Sequence, residues 1–135
     1  MKVDLQVRGI CCLRTGISGV SDHITVSAIV GRFLEHARIY YFHNGGNEEI
    51  FLGSSDLMPR NLDRRVEVLF PVDDPRIKKT IVSVILPVQF SDTLKGRQLQ
   101  SDGTYIRRVP PPQQEPMNAQ SWLVEHRGRW NNASR

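Results

Sequence analysis

The run Arg38-Ile39-Tyr40-Tyr41-Phe42-His43-Asn44-Gly45-Gly46-Asn47-Glu48-Glu49-Ile50-Phe51-Leu52-Gly53 decides the fold class. An aromatic and β-branched stretch leads into Asn-Gly, the strongest short hairpin signal, and a second apolar stretch follows. The pattern predicts strands at 38–42 and 48–53 joined by a tight turn. Upstream, 3–7 (VDLQV) reads as a short strand. Residues 9–23 read as a loop broken by Gly9, Gly16 and Gly19, and 24–30 (ITVSAIV) as a largely buried strand closed by Gly31. Residues 32–36 make a turn or one helical turn. Downstream, the polar stretch 54–63 reads as loop. A strand at 64–70, with Val66, Val68 and Phe70 on one face, is ended by Pro71.

Asp74-Pro75 then opens a helix, with Asp at the cap and Pro at the first position. Its apolar stripe is Ile77, Ile81, Val84, Ile85 and Val88, and Pro87 kinks or ends it. Two short strands surround Asp102-Gly103 within 94–106. The Pro110-Pro111-Pro112 segment, 109–117, is an extended connector to a last helix over 118–127 capped by Asn118, and the final eight residues are expected to fray. The prediction is a mixed α/β (α+β) chain, with a mixed sheet and flanking helices. The first strand begins almost at Met1, and burying both faces of such a sheet needs helices from elsewhere, so an incomplete domain is expected.

The chain has 135 residues, the size of one domain, with 39% hydrophobic and 24% charged residues. No apolar run approaches the ~20 residues of a spanning helix, and the N-terminus lacks the apolar core of a signal peptide. The expected location is the cytoplasm. Cys11 and Cys12 are adjacent, have no partners at zinc-ligand spacing, and read as small buried apolar residues in a reducing compartment. With 18 Lys and Arg against 14 Asp and Glu, the net charge is +4. Such a surface favours an anionic partner, and arginine is suited to phosphate oxygens. No GxxxxGK[ST] or GxGxxG device is present.

His36 is the first candidate for chemistry. It lies between an apolar strand and the hairpin, where an imidazole can face a cleft and transfer protons. Arg38, two residues on, is expected on the same strand face as a fixed cation. Arg8 ends the first strand beside Gly9, which permits close approach of a ligand. The string 53–67 adds Ser54 and Ser55 hydroxyls and the guanidinium groups of Arg60, Arg64 and Arg65. A solvated loop, with Asp63 and Glu67 paired to arginines, explains it equally well. His23, His43 and His126 read as surface residues. Asp22 and Asp56 are conceivable paired carboxylates that no spacing singles out.

Four blocks in order carry a resemblance: Val7-Arg8-Gly9-Ile10-Cys11-Cys12-Leu13-Arg14, then Ile29 to His36, then Arg38 to Phe42 with Asn44-Gly45-Gly46, then Gly53 to Glu67. Together with Asp102-Gly103-Thr104-Tyr105 they resemble the C-terminal part of bacterial polyphosphate kinase, over roughly residues 3–108. The resemblance implies a phospholipase D-like α/β fold, with residues 1–108 forming most of the second such domain and 109–135 a connector and helix. It implies reversible transfer of the terminal phosphate of ATP to inorganic polyphosphate through a phosphohistidine in an upstream domain. By motif position, Arg8 and His36 fall on ATP- and phosphate-binding residues, His36 with a catalytic role, and Arg65 falls near the phosphates. Arg38, Ser54 and Arg60 are supporting candidates.

The resemblance further implies ATP or ADP, Mg2+ in the full enzyme without a metal ligand from this chain, upstream kinase domains as partners, a homo-oligomer, and a full enzyme that can associate with membranes. His36-Ala37-Arg38 is similar to the His-x-Lys half-motif of the phospholipase D superfamily. The Asp of the full motif would fall at His43, which argues against a self-contained activity of that type. Two rival classes remain: a non-catalytic module binding polyphosphate or nucleic acid, and a phospholipase D-like hydrolase with His36 as nucleophile.

Overall fold

In the computed structural model, described for residues 1–9 and 11–128, the strands divide over two sheets. The first has the order β1-β2-β6-β7, built from β1 (Val3–Gln6), β2 (Ile24–Ile29), β6 (Gly96–Leu99) and β7 (Tyr105–Arg107). β1 and β2 run parallel, with Val3 opposite Ile24 and Gln6 opposite Ser27, while β6 and β7 are antiparallel additions. This sheet is mixed, as expected. The second sheet is an antiparallel meander of β3 (Arg38–Phe42), β4 (Glu49–Gly53) and β5 (Leu69–Pro71). The α/β class therefore stands, with two sheets in place of one.

The hairpin forms where Asn-Gly requires it. Asn44, Gly45 and Gly46 all take positive φ (45°, 63° and 100°), a run that two glycines make accessible. Tyr41 lies opposite Ile50, and Phe42 meets Phe51 edge-on at 6.3 Å on the other face. Ile50, Val72 and Ile81 form the buried core beneath this sheet, packed by Ile39, Tyr41, Leu52, Val82 and Leu86.

Three local expectations are corrected. The stretch 54–63 contains a helical turn, α1 (Pro59–Leu62), started by Pro59. The strand expected over 64–70 shrinks to Leu69–Pro71, and Pro71 belongs to it instead of ending it. β5 is an edge strand, where a residue without an N–H is tolerated. Val66 and Val68 alternate as a strand would, yet both are exposed because no layer covers them. Cys11 is half-buried and Cys12 exposed, so neither is a core residue.

The helix after Asp74 comes in three pieces: α2 (Pro75–Thr80), a π-helical turn Ile81–Ile85, and α3 (Leu86–Phe90). Pro87 has no N–H and crowds the preceding turn, and the ladder widens so that the Leu86 N–H donates to the Ile81 carbonyl. The phase change splits the apolar stripe. Ile81, Val82 and Leu86 face the meander, while Val84 and Val88 face Ile29 and Ala119 in a second core with Met117, Trp122 and Leu123.

α4 (Ala119–Glu125) is capped by Asn118, whose side chain accepts from the Ser121 N–H at 3.1 Å. Of the eight residues expected to fray, all but Gly128 lie in 129–135, outside the described residues. Asp92, fully buried, ties three elements together. Its Oδ1 accepts from the Lys95 and Gly96 N–H groups at 2.7 and 2.9 Å, and its Oδ2 from the Ala119 N–H at 2.8 Å.

Candidate functional site

The parallel pair β1 and β2 brings two candidates together. The carboxyl ends of parallel strands are where open α/β sheets hold ligands. Arg8 lies two residues beyond β1, and the loop after β2 leads to His36. The Arg8 Nη1 donates to the Phe33 carbonyl at 2.7 Å, three residues from His36 in that loop. Both side chains are exposed. Gly9 has a φ of 112°, and a Cβ there would meet nothing within 4 Å, so the space beside Arg8 is open.

Arg38 behaves differently from its sequence reading. β3 starts at Arg38, so His36 and Ala37 precede the strand and the shared-face argument lapses. The Arg38 Nη2 and Nε donate to Asp56 Oδ1 at 2.6 and 3.0 Å, and Nη1 donates to the carbonyls of Glu35 and Ala37 at 3.3 and 3.2 Å. The guanidinium clasps the His36 loop to the 54–57 segment. The Arg38 hydrogen bonds hold the Asp56 carboxyl below its ordinary range against the opposing effect of burial, with further help from the charges of Arg38, Arg60 and His36. Arg60, on α1, and His36 therefore lie in the field of one carboxylate.

Ser54 and Arg65 are exposed, as are Arg60 and Arg64, and none of the three arginines enters an ion pair among the described residues. Glu67 pairs with Asn61 instead of an arginine: the Asn61 Nδ2 donates to Glu67 Oε1 at 3.0 Å, and Asn61 itself is buried. That bond fastens the two ends of the segment carrying Arg64 and Arg65. His23 is exposed beside Asp22 at 3.8 Å, His43 is exposed before the hairpin turn, and His126 stacks on Trp122 at 4.1 Å. Asp22 and Asp56 have separate partners, so the paired-carboxylate reading is dropped.

Sequence reasoning missed the groups behind the His36 loop. Glu35 accepts from Gln89 Nε2 at 2.6 Å and from Gln120 Nε2 at 2.7 Å. Their separations of 54 and 85 residues leave no local signal. Only the helix prediction, which put Gln120 in the first turn of the last helix, pointed near it.

The family described as polyphosphate kinase C-terminal domain 2 matches residues 1–120. The polyphosphate kinase of Prosthecochloris aestuarii is 53% identical over 125 residues, covering 93% of this chain and 17% of that relative. The polyphosphate kinase of Synechocystis sp. is 49% identical over 121 residues, covering 90% of this chain and 16% of the relative. The crystal structure of polyphosphate kinase from Porphyromonas gingivalis matches with a TM-score of 0.84 at 39% identity, over 93% of this chain and 19% of that one. The chain thus spans less than a fifth of the length of these relatives.

Proposed function

The chain belongs to the polyphosphate kinase C-terminal domain family, and from that membership we propose that it supplies ATP- and phosphate-binding groups for phosphoryl transfer between ATP and inorganic polyphosphate. The observation that carries the reading is the Arg8 guanidinium bonded to the loop that presents His36, with both side chains open to solvent. Arg8 clamps a phosphate of the nucleotide and stabilises charge as the phosphoryl group moves. His36 acts as general acid or base, or as the electrostatic partner, opposite a nucleophilic histidine held elsewhere in the kinase. Phosphoryl transfer depends mainly on positioning and charge stabilisation, which these two groups provide.

In the same reading the exposed Arg60, Arg65 and Ser54 add contacts to the polyanion, and Arg38 serves by holding the loop. A complete kinase would use Mg2+ to neutralise phosphate charge. Among the described residues no three His, Cys, Asp or Glu side chains converge to hold an ion. The same reading has the complete kinase working as a homo-oligomer in the cytoplasm. Among the described residues no helix is long and apolar enough to cross a membrane.

The test is Arg8→Ala and His36→Ala in a complete polyphosphate kinase containing this sequence. Each is expected to lower kcat about 100-fold or more for polymer synthesis and for ATP regeneration, the usual scale for a proton-transfer or charge-stabilising group. Wild-type rates in both directions for either variant would remove that residue from the site.

A further inference from the structure

We propose that Gln120, acting with Glu35, is a positioning residue for this reaction: its buried amide sets the His36 loop against Arg8. The proposal rests on the reading of Arg8 and His36 given above. Gln120 is 7% exposed, and both N–H groups of its amide and one lone pair of its oxygen are used. Oε1 accepts from the Phe33 N–H at 3.0 Å, while Nε2 donates to the Phe33 carbonyl at 2.9 Å and to Glu35 Oε1 at 2.7 Å. The reversed amide would set two donors against each other at Phe33 N and two acceptors at Glu35, so the orientation is fixed by its partners. The other Glu35 oxygen accepts from Gln89 Nε2 at 2.6 Å, and Gln89 Oε1 accepts from Gln6 Nε2 at 3.0 Å.

Both acceptor positions of the Phe33 carbonyl are therefore filled, one by Gln120 and one by Arg8. A single peptide group receives the proposed phosphate clamp on one side and the buried amide on the other. Three residues later the chain presents His36.

The amide is not what docks α4. Ala119 is fully buried, Trp122 and Leu123 pack on Ile29 and Val88, and Asp92 accepts from the Ala119 N–H. Those contacts fasten the helix, and the Gln120 amide reaches past them to the loop. Gly31 makes room for it: a Cβ at Gly31 would overlap the amide, with its Cδ only 2.6 Å away. The obstacle is the end of a flexible side chain, so Gly31→Ala displaces the amide while leaving the helix anchors in place.

The experiment uses a complete polyphosphate kinase containing this sequence, with Gln120→Ala and Gly31→Ala made separately and each combined with Arg8→Ala. Each single variant is expected to lower kcat about 10- to 100-fold in both reaction directions, the scale of a misplacement near 1 Å, with a Tm close to wild type. In the Arg8→Ala background the same substitution should cost less than about threefold, because the residue works through Arg8 and its loop.

A kcat within twofold of wild type for both single variants overturns the proposal. So does a loss that multiplies fully with Arg8→Ala, or a Gln120→Ala protein that fails to fold, since the residue then serves stability alone. If Arg8→Ala and His36→Ala themselves retain full activity, the failure lies in the reading of the site. If they are impaired and the Gln120 and Gly31 variants are not, it lies in the positioning role.

Discussion

Arg38, a supporting candidate in the sequence, engages its guanidinium with the chain itself. Its carboxylate partner, Asp56, is 18 residues away across the hairpin, and no periodicity connects the two. Local signals fare better. Asp74-Pro75 announced a cap, and Asp74 Oδ1 does accept from the Arg76 N–H at 2.8 Å. Arg8 and His36 stand out in the sequence because each lies near a strand end beside a glycine or a turn, and in the structure both side chains are exposed. Asp56 and Asp74 both titrate below the ordinary value of 3.8, Asp56 chiefly through Arg38, and Asp74 to about 2, chiefly through the Arg76 side chain. A depressed carboxyl stabilises the fold fully above its unfolded pKa and loses that contribution as pH falls through its folded pKa. The Arg38–Asp56 clasp and the α2 cap are therefore intact above about pH 4; the cap loosens as the pH falls toward 2, and the clasp loosens below the ordinary carboxyl range. Carboxyl NMR titration should give midpoints below 3.8 for both, with Asp74 near 2. An Asp56 midpoint at its ordinary value would mean the clasp does not form. Asp56 is more than a third exposed, so its contribution to stability is modest.

One helical path serves two sheets because of where Pro87 stands. The sequence signalled an apolar stripe and a proline inside it, and those two facts do not reveal that the break would send Ile81 to one core and Val88 to the other. β5 shows the opposite failure. Alternation over 64–70 predicts a half-buried strand, but alternation only reports that a face could be covered, and no described element covers Val66 or Val68. Asp92 is the joint between α3, β6 and α4, and nothing in its neighbourhood advertised a carboxylate with no exposure. Asp92→Ala takes the acceptor from three backbone N–H groups, and two of them, at Gly96 and Ala119, lie in buried residues. The expected cost is about 3 kcal/mol, read as a Tm lower by roughly 10 °C. Asp92→Asn keeps one acceptor oxygen for the Lys95 and Gly96 amides and should lose only part of that. Equal Tm values for Asp92→Ala and wild type would show that the joint adds nothing to stability.

As a whole molecule, the chain leaves much of its apolar surface unpacked. Leu57, Leu62, Val66, Val68, Leu69 and Phe70 are all exposed along one stretch that also carries Arg60, Arg64 and Arg65, and Val66 is 99% exposed. Folded domains rarely expose so many large apolar side chains in one short stretch unless they meet another surface. The chain spans 16% and 17% of two polyphosphate kinase relatives, and the proposed function puts the nucleophile outside it. Both bear on what residues 1–135 can do alone. In the proposed function Arg8 and His36 hold and polarise a phosphate, while the bond-forming histidine belongs to another part of the kinase. A purified 1–135 polypeptide is therefore expected to bind a hydrophobic dye such as anilinonaphthalene sulfonate and to make no polymer from ATP. Substituting Val66, Val68 and Phe70 with serine should lower the dye signal, because that stretch supplies much of the exposed apolar surface. The two readouts separate two claims. Dye binding unchanged by the triple substitution would place the apolar surface elsewhere. Robust ATP-dependent polymer formation by the isolated chain would overturn the division of labour, because His36 would then have to supply the nucleophile within this domain.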